Sequence, residues 1–286
     1  MSHPFEASEV QAGLQAALVP PVLYSGNFIE AFGRSVPKDE VGGDLADLVS
    51  HGQDVIAYVM DVSGHGIRAG VLMGMAKTAF RYGLLLAQPL EKLVRDINSV
   101  LGSVKERNMY LTLAVARFTG TGEVEYISAG HLPLLHYQQR TGSVIRHSMS
   151  QFPLGLFSGV QYVSERLSFG SGDLFALVTD GVTETGEDPD AESGLEQVSE
   201  VLRRLHDGAL PDIVSAMLRE ATENGPQHDD ATVLLLRCSE ETGGYQQEKA
   251  DITRMQEAIW NRQLDALEEL LAREDKQSKK KESQQT

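Results

Sequence analysis

The chain has 286 residues, is 41% hydrophobic and 23% charged, and carries a net charge of −16. That is enough for one large globular domain or a domain with an appendage, and a field of that sign repels nucleic acid and anionic membranes. The apolar stretches, 84–87 and 233–236 among them, fall far short of the ~20 residues of a bilayer span, and no basic-then-apolar N-terminus marks a signal peptide. The single cysteine, Cys238, excludes an intrachain disulfide and agrees with a cytoplasmic setting. No arginine follows it at the spacing of a cysteine-phosphatase loop, so it reads as a packing residue.

Residues 9–18 have helical spacing and stop at Pro20-Pro21, so 1–21 reads as a short N-terminal helix and linker stub. Runs rich in β-branched and apolar residues then predict strands over 54–62, 110–118, 124–128, 132–137, 173–180 and 231–237. The stretches 118–123 and 130–133 read as hairpin turns, and such short connections imply antiparallel pairing. Helical spacing predicts helices over 67–86, 89–101, 195–206 and 211–222. Clustered strands with clustered helices indicate an α+β layered domain over 22–239. A polar linker follows at 240–250. An amphipathic helix is expected over 251–273, striped by Ile252, Met255, Ile259, Leu264, Leu267 and Leu271. Residues 274–286 read as a disordered tail.

Four aspartate sites stand at strand ends or glycine-marked turns: Asp44 in VGGDLAD, Asp61 in DVSGHG, Asp180 in TDGVTE, and Asp229-Asp230 in HDDAT. One such aspartate is ordinarily a turn residue or a helix cap. Four, brought to one sheet edge, repel one another, and divalent cations relieve that repulsion. Oxygen-only ligands select Mg²⁺, Mn²⁺ or Ca²⁺ over zinc. The neighbouring glycines, Gly42-Gly43, Gly64, Gly66 and Gly181, allow close backbone approach, so a main-chain carbonyl beside Asp61 can join the ligands. The chain has no GxxxxGK[ST], HExxH, GxSxG or zinc-spaced Cys/His set. The string at 70–78 lacks the Gly-Lys pair of a P-loop and reads as helix.

The ordered series VGGD, DVSGHG, SAGH, FPLG, DGVTE and DDAT resembles the PPM metal-dependent serine/threonine phosphatases, in the bacterial SpoIIE-like branch, from about residue 10 to residue 238. The resemblance implies a fold of two antiparallel β-sheets in a sandwich flanked by helices (α-β-β-α). It implies two divalent ions, Mn²⁺ or Mg²⁺. Asp61 would bridge them, and Val62 would offer its carbonyl to one. Asp180 and Asp229 would complete the other site. Asp44 would hold a metal or its bound water. Asp229 is preferred over Asp230 as the ligand, with Asp230 and Gly181 supporting from behind. A metal-activated water would attack phosphorus, with no phosphoenzyme. His65, four residues after Asp61, either donates a proton or orders the turn, whereas His131 reads as a turn residue. Arg34 matches only by position the phosphate-gripping arginine of the eukaryotic branch. The implied substrate is a phosphorylated protein, a STAS-domain anti-anti-sigma factor in a partner-switching pathway. The segment 251–273 would pack on the domain, or serve a homodimer or a regulator. A non-catalytic phosphoprotein-binding module on the same fold is the alternative, and it expects lost metal ligands.

Overall fold

The computed structural model describes residues 13–239 except 14, 27, 107, 186–189 and 224–226. The expected linker, C-terminal helix and tail beyond 239 lie outside the described residues. The elements are β1 (Val22–Ser25), β2 (Ile29–Val36), β3 (Leu45–His51), β4 (Asp54–Val62), α1 (Ile67–Leu85), α2 (Leu90–Val104), β5 (Leu111–Phe118), β6 (Glu123–Ala129), β7 (Leu134–Gln138), β8 (Ser143–His147), β9 (Glu165–Ser168), β10 (Leu174–Val178), α3 (Asp180–Thr183), α4 (Ala191–Leu205), α5 (Leu210–Glu223) and β11 (Ala231–Cys238). They form two antiparallel sheets, ordered β1-β2-β11-β10-β7-β8 and β3-β4-β5-β6-β9. This is the α-β-β-α sandwich that the motifs imply.

Three apolar layers hold it. Alternate residues of each central strand face opposite ways. In β4, Ile56, Tyr58, Met60 and Val62 pack toward Met73, Phe80 and Leu93 of α1 and α2. Val55, Ala57 and Val59 face the other sheet, where they meet Phe175, Leu177, Leu234 and Leu236. The outer face of that second sheet, with Ala176, Val178, Val233 and Leu235, is covered by α4 and α5. Strands buried on both faces read as near-continuous apolar runs, which is why 54–62 and 231–237 are visible in the sequence. Cys238 is buried in the inter-sheet layer, and burial pushes its thiol well up, as a packing residue should show.

One buried polar group fastens α1 to its sheet. Asp47 of β3 accepts from Tyr58 Oη at 2.5 Å and from Arg81 Nε and Nη2 at 2.7 and 2.6 Å. Both carboxylate oxygens are engaged, so burial leaves this charge paired.

Two sequence expectations are corrected. The stretch 130–133 is not a hairpin turn: β6 lies in one sheet and β7 in the other. Gly130, at φ 68°, sends the chain across the sandwich instead of back along the same sheet. The strand expected over 173–180 stops at Val178, and Asp180 opens the single helical turn α3.

Phe175 is fully buried between the sheets, 4.1 Å from the His136 ring and 5.1 Å from that of Phe118. Phe175→Ala is expected to cost about 3–5 kcal/mol in urea unfolding. A loss below about 1 kcal/mol would show that the layer closes over the gap.

Candidate active site

Antiparallel order brings distant segments to one edge of the sandwich. Leu45 pairs with Met60 and Val62 with Leu111, so the start of β3 and the end of β4 lie together. Val178 pairs with Val233 and Ala231 with Val36, which sets the end of β10 beside the start of β11. Asp44, Asp61, Asp180, Asp229 and Asp230 therefore converge. Strand parity carries Asp61 onto the inter-sheet side, following Val55, Ala57 and Val59.

The dry layer between the sheets thus ends in acids and hydroxyls. Asp44 is 2% exposed and its Oδ2 accepts from Thr179 Oγ1 at 2.7 Å. Thr179 Oγ1 in turn accepts from Thr232 N at 2.9 Å. Burial, and then the charge of Asp61, hold the Asp44 carboxyl well above its ordinary range. Burial also pushes Asp61 up to about 7, helped by Asp180, Asp229 and Asp230 and opposed by a hydrogen bond with Thr112. Asp180 is raised to about 6 by burial and by Asp229 and Glu184.

Asp229 and Asp230 have different duties. Asp230 is buried, with Oδ1 accepting from Lys38 N at 2.8 Å and Oδ2 from Gly43 N at 2.6 Å. Its carboxylate therefore pins the Gly42-Gly43 loop in front of Asp44. The approach is so close that a methyl on Gly42 would lie 2.7 Å from Asp230 Oδ2, and one on Gly181 2.1 Å from the Asp230 carbonyl oxygen. Only glycine fits either place. Asp229 instead lines the open cleft, and its Oδ1 accepts from Asp230 N at 2.8 Å.

That cleft has a volume of about 700 Å³, and Asp61, Asp180, Asp229, Glu184, Thr112 and His131 are among its walls. Among the described residues, no lysine or arginine lines it. The Val62 carbonyl points toward the glycine loop, 3.1 Å from where a Gly43 methyl would sit. Among the described residues, no three acid, histidine or cysteine side chains are gathered tightly enough to hold a metal ion by themselves. The donor chemistry nonetheless fits a hard cation. Mg²⁺ characteristically keeps several waters and takes only one or two carboxylates, so a wide acidic cleft suits it better than a closed cage.

The histidines divide differently from expectation. His65 is turned to Asp39, with Nδ1 2.5 Å from Oδ2, and is not among the cleft walls. His131, expected only to form a turn, lines the cleft and bonds through Nδ1 to Thr112 Oγ1 at 2.7 Å. Burial lowers it to about 4, so it is neutral at physiological pH. Thr112 lies directly across the ladder from Asp61. Thr112 and Thr179 are not among the residues the sequence singles out; their only signal there is a hydroxyl inside or ending an apolar run. Arg34, in β2 opposite Val233, is also absent from the cleft walls.

Residues 51–239 match the family described as Stage II sporulation protein E (SpoIIE). The chain is 24% identical over 241 residues to phosphoserine phosphatase RsbU of Bacillus subtilis, covering 80% of this chain and 69% of RsbU. It is 26% identical over 235 residues to phosphoserine phosphatase RsbP of the same organism, covering 77% of this chain but only 54% of RsbP. Among solved structures, the RsbU and RsbW domains of Rv1364c from Mycobacterium tuberculosis superpose with a TM-score of 0.69 at 23% identity, over 78% of this chain and 62% of that one.

The acid cluster makes stability depend on pH. Asp61 titrates at about 7 in the folded protein and at 3.8 ordinarily. The folded state thus binds this proton more tightly, so stability falls as pH rises between those values and levels off above them. Metal-free Asp61→Asn is expected to gain thermal stability over the metal-free wild type, by an amount that grows from about pH 4 to pH 7. Added Mn²⁺ should raise the wild-type midpoint most at the upper end. Parallel melting curves across that range, with a constant gap between the two proteins, would contradict the assignment.

Proposed function

The chain belongs to the Stage II sporulation protein E (SpoIIE) family, the bacterial branch of the PPM phosphatases, and on that premise we propose that it is a metal-dependent protein phosphatase acting on phosphoserine or phosphothreonine. The observation that supports this most directly is the cleft itself. Asp61, Asp180 and Asp229 face one cavity that has no lysine or arginine among its described walls, and Asp44 and Asp230 lie buried behind them. Such a site binds a phosphate only after divalent cations have reversed its charge.

In this reading Asp61, Asp180 and Asp229 hold two Mn²⁺ or Mg²⁺ ions, with the Val62 carbonyl and Asp44 completing the set. The ions, when bound, supply an activated water and neutralise the phosphoryl oxygens. The chain's own residues orient and insulate. Thr112 steadies the Asp61 carboxylate. Thr179 fixes Asp44, and Asp230 fixes the loop above it. No side-chain nucleophile is required, and the sole cysteine is buried at the far end of β11. His131 is neutral and His65 is engaged by Asp39 outside the cleft walls, so neither is placed to donate a proton.

The substrate proposed is a phosphorylated regulatory protein, and a STAS-domain anti-anti-sigma factor is the first candidate. The names of RsbU and RsbP support the phosphoserine chemistry. The rival reading, a silent phosphoprotein-binding module, expects missing carboxylates, yet all the expected acids are in place.

Hydrolysis of p-nitrophenyl phosphate should require Mn²⁺ or Mg²⁺ and stop with EDTA. Asp61→Asn and Asp229→Asn should each lower kcat by about a hundredfold or more. Asp229→Asn should keep its thermal midpoint in the metal-free state, whereas Asp230→Asn should lower it, because an amide would face backbone N–H donors. Full activity in Asp229→Asn, with loss confined to a stably folded Asp230→Asn, would reverse the two roles.

A further inference from the structure

Beside the cleft, residues 152–157 expose two aromatic rings on a loop that is held rigidly from below. Phe152 and Phe157 are 55% and 51% exposed and stack edge to face, with ring centroids 4.9 Å apart. Their backbone is not free. Tyr162 Oη donates to the Phe152 carbonyl at 3.1 Å. Asn98 Nδ2 donates to the Phe157 carbonyl at 3.0 Å, and Asn98 Oδ1 accepts from Gly155 N at 2.7 Å. Leu154 is fully buried and exchanges both backbone hydrogen bonds with Leu111, the first residue of β5. Asn98 and Tyr162 are themselves buried. A buried amide that spends both its ends on one loop fixes the position of that loop. The rings on it are therefore presented, not merely uncovered.

The patch continues into the cleft. Leu156, of the same loop, and Tyr110 are exposed and line the carboxylate cavity, and exposed Val163 donates its N–H to Gln151, the residue before Phe152. Aromatic side chains on a fixed backbone have the character of binding hot spots, because little freedom is lost when they are covered.

The electrostatics indicate what covers them. A chain of net charge −16, with a cleft walled by acids, offers a phosphopeptide no long-range attraction. Affinity beyond the phosphate itself must come from apolar contact. We propose that this lip is the substrate-selecting surface of the phosphatase. It would bind a phosphoprotein segment that carries apolar side chains within a few residues of the phosphoserine. The proposal rests on the phosphatase reading and adds the feature by which that site chooses among phosphoproteins.

The test compares two phosphoserine peptides of equal charge, one with leucine on both sides of the phosphoserine and one with asparagine there, alongside p-nitrophenyl phosphate. The wild type should prefer the leucine peptide by about tenfold or more in kcat/KM, mostly through KM. F152S/F157S should erase that preference while p-nitrophenyl phosphate turnover stays unchanged, and F152L/F157L should restore it. A wild type without preference, or a double serine variant that keeps it, overturns the proposal. So does a shift from dimer to monomer in sedimentation of the serine variant, which would make the patch a contact between two copies. If the wild type hydrolyses neither peptide nor p-nitrophenyl phosphate with any metal, the phosphatase reading itself has failed, which is a distinct result.

Discussion

Five carboxylates crowded at the open end of a dry layer govern this molecule. The layer must be apolar to hold two sheets together, and the acids must sit at its mouth for the cleft to exist. Each requirement makes the other more costly. Burial and mutual repulsion push Asp44, Asp61, Asp180 and Asp230 upward together. A fold under that strain has two remedies, hydrogen bonds to some of the acids and cations for the remainder. The chain uses the first for those it buries most deeply and leaves the second to solution.

The division follows strand geometry. Asp44 and Asp230 precede strands and meet donors from neighbouring segments, namely Thr179 Oγ1 for one and two backbone N–H groups for the other. Asp61 ends a strand and Asp180 opens a helical turn, so their carboxylates are left toward the cleft. Glycines at 42 and 181 let the three loops come together without side chains between them. Because the Asp230 carboxylate holds Lys38 N and Gly43 N while its carbonyl accepts from Thr179 Oγ1, one residue ties three segments that are far apart in sequence.

What was legible in the sequence followed from burial. The helices 67–86 and 211–222 and the strands 54–62 and 231–237 show strong apolar patterns because they pack on one or both faces. The strands passed over lack that signature. β2 is broken by Gly33 and Arg34, β3 grows directly out of the VGGD turn, and β8 and β9 are short, partly exposed edge strands. The stretch Gly130-His131-Leu132-Pro133 looks like a hairpin turn because glycine and proline punctuate the chain alike whether it reverses within a sheet or crosses between sheets. The acids of the site were visible as motifs, but their division of labour was not. The roles of Asp229 and Asp230, of Thr112 and of His131 depend on which partner folding brings to each, and spacing along the chain does not encode that.

The loop beneath the exposed rings has a consequence for how such enzymes diversify. Its backbone is secured by the buried side chains of Asn98 and Tyr162 and by the pairing of its own Leu154 with Leu111. The anchorage holds the carbonyls of Phe152 and Phe157, and their rings take no part in it. Phe157, outside the FPLG motif, is thus open to substitution with little penalty in folding, while the carboxylates a short distance away are fixed by chemistry. A lineage built on this plan can change its clients by single substitutions on a stationary platform, keeping one hydrolytic centre through many changes of recognition.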